Sequence, residues 1–80
     1  MKELVYSVST RDGKYPWIEV RHGLLVILRE QGNISKLIMC LLEMGRNTNA
    51  FKKNAEKYPE LVEEAMKKHE VFKYELCRKM

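Results

Sequence analysis

The chain has 80 residues, 45% hydrophobic and 32% charged, with a formal net charge of +4 and a pI near 9.2. That length holds one domain with a modest core, and the composition is that of a folded chain rather than a disordered one. The apolar runs Leu24 to Leu28 and Leu37 to Leu42 are both too short to cross a membrane. No secretory leader pattern is present, so a cytoplasmic protein is expected. The positive balance favours polyanionic partners without identifying one.

The first segment, Lys2 to Ser9, alternates Leu4, Tyr6 and Val8 with Val5, Ser7 and Ser9, and these residue types predict a strand. Arg11-Asp12-Gly13-Lys14 supplies an Asp-Gly turn signal. Two readings follow. Tyr15 to Val20 can return as a second strand, setting Val8 against Trp17. Alternatively Pro16 opens a helix that places Trp17, Val20, Leu24, Ile27 and Leu28 on one face. The helix is preferred because its period continues through Gln31, with Gly23 as a defect inside it. It leaves the first strand without a partner in the chain, and pairing across a dimer axis is then expected to cover that edge.

Gly32-Asn33 ends this segment, and Asn33 or Ser35 can cap the next helix. Ile34 to Met44 is apolar over more than half its circumference, which predicts burial in a core or a dimer contact. Gly45 stops it, and Arg46-Asn47-Thr48 forms a short polar turn. A basic helical pattern then runs from Asn49 to Lys57, with Phe51, Ala55 and Tyr58 inward and Thr48, Asn49, Lys52, Lys53 and Glu56 outward. Pro59 opens a further helix to about Lys79, whose stripe is Leu61, Ala65, Met66, His69, Phe72 and Leu76. At about 1.5 Å per residue it is about 30 Å long. Its far half is expected to meet a second subunit, and a homodimer is the predicted state.

The predicted fold class is therefore mainly α, a single domain over 1–80. A short N-terminal strand or hairpin (1–15) precedes a three-helix core (16–58) and a long C-terminal helix (59–80). Helix, glycine turn and basic helix is the order of a helix-turn-helix unit, whose second helix enters the DNA major groove. Charge supports this: Arg46, Lys52, Lys53 and Lys57 against Glu56 give residues 46–58 a net +3, while five glutamates against three lysines give residues 59–76 a net −2.

Leu24 to about Glu64 resembles the three-helix, homeodomain-like helix-turn-helix of phage terminase small subunits and transposases. The residues that carry the likeness are the LREQGNISK run (Leu28 to Lys36), Gly45 in the turn, Asn47-Thr48-Asn49, Phe51, and YPEL (Tyr58 to Leu61). The chain departs from the pattern at Leu41, where the family has a small residue, and at Arg46, where it has an apolar one. The resemblance implies a recognition helix over about 47–58 in the major groove. The size suits a transcription or copy-number regulator of a plasmid or virus.

The expected DNA-binding residues are Arg46, Asn47, Thr48, Asn49, Lys52, Lys53 and Lys57. Lysines and arginine suit phosphates, and an Asn amide can bond adenine N6 and N7 together. Against this stand an ordinary solvated face for the cations and helix capping for Asn and Thr. Arg11, Lys14 and Arg21 are secondary candidates. The alternative function is a protein-interaction module that uses the apolar helix 34–44 and the 61–76 stripe. Cys40 and Cys77 lack CxxC spacing and read as reduced, buried thiols. His22 and His69 have no ligand partners at a recognisable spacing, Glu43 and Glu56 read as solvated, and Trp17 and Met66 as core. No metal, cofactor or catalytic motif is expected.

Overall fold

The computed structural model describes residues 3–9 and 16–80. The Asp-Gly turn signal, with Arg11 and Lys14, lies outside them. Three antiparallel strands come first, β1 (Leu4–Ser9), β2 (Trp17–His22) and β3 (Leu25–Gln31), in the order β1-β2-β3. Three helices follow, α1 (Ile34–Met44), α2 (Asn49–Lys57) and α3 (Pro59–Arg78).

The fold is thus α+β, and the expected mainly-α class with a helix from Pro16 through Gln31 is overturned. Residues 17–22 carry the period of a strand: Ile18 and Val20 are buried, while Trp17, Glu19 and Arg21 point to the other face. β1 pairs with β2 from Leu4 opposite His22 to Ser9 opposite Trp17, so Val8 faces Ile18 rather than Trp17. β2 and β3 are joined by Gly23-Leu24 alone. Gly23 has φ +63° and no other residue of this turn has positive φ, the pattern of a type II′ hairpin turn with glycine at its first central position. What looked like a helix defect is the residue the turn requires. Pro16 is buried just outside β2, and its carbonyl accepts the Gly32 N–H at 2.8 Å, closing the far end of the hairpin.

A bulge explains the false helical period. Val20 faces Leu28 and Arg21 faces Val26, leaving Ile27 without an opposite residue. Ile27 and Leu28 are consecutive yet both buried, which imitates an adjacent pair on a helix. Two other members of that imagined stripe are exposed, Trp17 at 38% and Leu24 at 93%.

α1 is the centre of the molecule. Asn33 caps it, accepting the Lys36 N–H at 3.0 Å while its own amide donates to Glu30. Leu37, Ile38, Met39, Cys40 and Leu41 are all buried, because the sheet covers one side of the helix and α3 another. Most of the apolar surface that suggested a dimer contact is therefore consumed within the chain, with Met44 at its end left 43% exposed. α3 buries Ala65, Phe72 and Leu76 in the same core, so its far half packs on its own chain. Met66, placed in that stripe from the sequence, is 47% exposed. No described helix is long and apolar enough to cross a membrane.

Candidate nucleic-acid interface

Gly45 ends α1 at φ +126° and ψ +137°, outside the left-handed helical well but still in a region that side chains rarely adopt. Its N–H donates to the Leu41 carbonyl at 3.0 Å. The chain turns through Arg46 and Asn47, both exposed, and Thr48 caps α2. The Thr48 hydroxyl accepts the Phe51 N–H at 3.2 Å. Phe51 and Asn54 are buried, with Ala50, Ala55 and Tyr58 partly so. The Asn54 amide donates to the Ala50 carbonyl at 2.8 Å. The buried side anchors α2 on α1 and α3. The other side carries Asn49, Lys52, Lys53, Glu56 and Lys57, all exposed. At about 100° per residue these five span an arc of roughly 140°.

None of Arg46, Lys52, Lys53 and Lys57 meets a carboxylate among the described residues. Lys57 lies over the Tyr58 ring, 5.3 Å from its centroid. Several cations elsewhere are engaged: Arg21 and Arg29 with Glu19, Lys36 with Glu30, Lys68 with Glu64, and Lys73 with Glu43. Desolvation and pairing costs are thus low on the α2 face, where the charges are hydrated and available to an incoming anion. Glu56 sits on the same face and subtracts from it.

The expected trio separates into two roles. Thr48 is committed to the backbone on both sides of the turn and has little left for a ligand. Asn47 and Asn49 are exposed beside it, at the start of α2. Arg21 does not join them. It lies on the outer face of the sheet, opposite the face that packs on α1, and is tied to Glu19. The Arg21 hydrogen bond, with help from Arg29, holds the Glu19 carboxyl below its usual range.

No known protein family, characterised protein or solved structure matches the chain.

A second polar cluster escaped the reading of the sequence. Glu43 is not solvated: its side chain is 18% exposed, 2.5 Å from His69 Nε2 and 3.5 Å from Lys73 Nζ. The His69 contact falls short of hydrogen-bond alignment. Close by, the Tyr6 hydroxyl is buried without a partner. Burial raises the Tyr6 phenol above its ordinary range, and the charge of Glu43 adds to this. Burial likewise pushes the Cys40 thiol up to about 12. Cys77, expected to be buried, is exposed. Among the described residues no group of three His, Cys, Asp or Glu side chains converges as metal ligands. This cluster joins α1, α3 and β1. Its one trace in the sequence is a carboxylate on the most apolar helix, which has to find a partner when that helix is buried.

Proposed function

We propose that this chain binds double-stranded DNA, with α2 as the element that enters the major groove. The observation that carries the reading is the exposed α2 face. Lys52, Lys53 and Lys57, together with Arg46 in the turn, lack carboxylate partners among the described residues and stand beside two exposed asparagines at the helix start. The B-DNA major groove is about 12 Å wide and admits one helix. Ammonium and guanidinium groups bind phosphate oxygens and fix the position of the protein, and the Asn47 and Asn49 amides have the donor and acceptor needed for adenine. A small DNA-binding domain of this kind serves as a transcription or copy-number regulator, and a plasmid or viral setting suits its size.

A mobility shift on random duplex at low salt tests binding, and footprinting on the DNA upstream of the chain's own gene tests regulation. Retarded duplex that is released by moderate salt is expected. No retardation of any duplex at low salt overturns the reading.

A further inference from the structure

We propose that the free edge of β1 pairs with β1 of a second copy of this chain, antiparallel about a two-fold axis, to form a continuous six-stranded sheet. The two edges of the sheet differ. β3 is interrupted by the bulge at Ile27 and carries Arg29 and Glu30, so its edge is kinked and charged. Both features discourage a further strand. β1 has neither. It is six residues long, LVYSVS, with no charge, proline or glycine, and its register with β2 runs without a break. Among the described residues no strand pairs with its other edge. That edge is a row of backbone donors and acceptors, which only another strand satisfies in full.

A second copy is the partner that fits. Antiparallel pairing about a two-fold axis perpendicular to the sheet sets β1 against itself, and each residue keeps its face. Leu4, Tyr6 and Val8 lie on the inner face, half-buried against the core. They would meet the same apolar row of the partner. Val5, Ser7 and Ser9 on the outer face would meet one another. No register within 4–9 opposes two like charges, because the strand has none. Both helical layers would then lie on one side of the joined sheet. This proposal is independent of DNA binding, since it uses neither α2 nor the turn before it.

Sedimentation velocity of the DNA-free chain, across the micromolar range, reads the outcome. A species of twice the 9.5 kDa chain mass is expected, and Ser7→Lys should weaken self-association several-fold. Residue 7 is exposed and opposite Glu19 of β2, so the substitution is tolerated in the monomer but places two lysines near the axis of the dimer. Gln31→Lys, on the β3 edge, should leave association unchanged. Amide exchange of the unmodified chain gives a second readout that needs no variant: the β1 amides that point away from β2 should be protected at high concentration and lose that protection on dilution. A chain that stays monomeric throughout overturns the proposal. So does a dimer whose β1 exchange is independent of concentration, or one that a folded Ser7→Lys variant forms as readily as the parent.

Discussion

The Thr48 hydroxyl donates to the Gly45 carbonyl at 3.0 Å while accepting the Phe51 amide at 3.2 Å, so one side chain clamps both the end of α1 and the start of α2. Thr48→Ala should therefore cost about 1 kcal/mol of stability, seen as a fall of roughly 4–8 °C in the thermal midpoint. Thr48→Ser should recover most of it. An unchanged midpoint for the alanine variant would show that the clamp is not formed in solution.

Because Thr48 is the cap, Asn49 can be tested for recognition without the confusion of a lost cap. Asn49→Ala should cost about 1–3 kcal/mol on a specific site and little on random duplex. Lys53→Ala should weaken both alike and flatten the salt dependence by about one unit. For the parent, four phosphate contacts predict a slope of log K against log salt of roughly −3 to −4 per chain. A slope shallower than about −2 would falsify phosphate binding by this face.

The two cysteines should behave oppositely towards a thiol reagent. Exposed Cys77 should react at once at mildly alkaline pH, and Cys40 only as fast as the chain opens. The same burial has a consequence for alkaline stability. In the folded chain the Cys40 thiol keeps its proton up to about 12 and the Tyr6 phenol is raised in the same direction. Unfolding releases both to ordinary values, near 8.5 and 10. Above about pH 8.5 the unfolded chain therefore binds fewer protons than the folded one, and stability falls as pH rises. Denaturant midpoints that stay level from neutral pH into the range where Cys40 titrates would contradict this.

Tyr6→Phe should be neutral or stabilising by up to about 1 kcal/mol, because the hydroxyl it removes is buried with no hydrogen-bond partner. Most core tyrosines respond in the other direction. A clear loss of stability in denaturant unfolding would mean that this hydroxyl finds a partner in solution.

Gly23→Ala decides between the two conformations weighed for residues 16–31. In a helix the change would stabilise by up to about 1 kcal/mol. At φ +63° in a two-residue hairpin turn it should destabilise, with a lower midpoint in thermal unfolding.

How far the chain explains itself varies by element. α1 and α2 lie where apolar period, Asn33, Gly45 and Pro59 place them, because caps and breakers act within a few residues of the ends they set. The sheet was harder to read because pairing is non-local. Nothing near Ile27 signals that it will be left unopposed, and two buried neighbours in a row count equally well for a helix. The role of Glu43 was hidden for the same reason, since its neighbours His69 and Lys73 are 26 and 30 residues away. At the candidate interface the charges were legible as a cluster. Their lack of carboxylate partners among the described residues was not, because pairing depends on which acids the fold brings near.

The position of α1 between the sheet and α3 also bears on how the chain is made. The strands and α1 leave the ribosome first, with Leu37, Ile38 and Leu41 already on an amphipathic segment. Phe72 and Leu76, which complete the same core, come more than thirty residues later. Until α3 is released the nascent chain presents an uncovered apolar helix above a sheet with an unblunted edge. Synthesis therefore passes through a stage at which holdase chaperones have their strongest purchase on this protein, and that stage ends only as the last turns of α3 emerge.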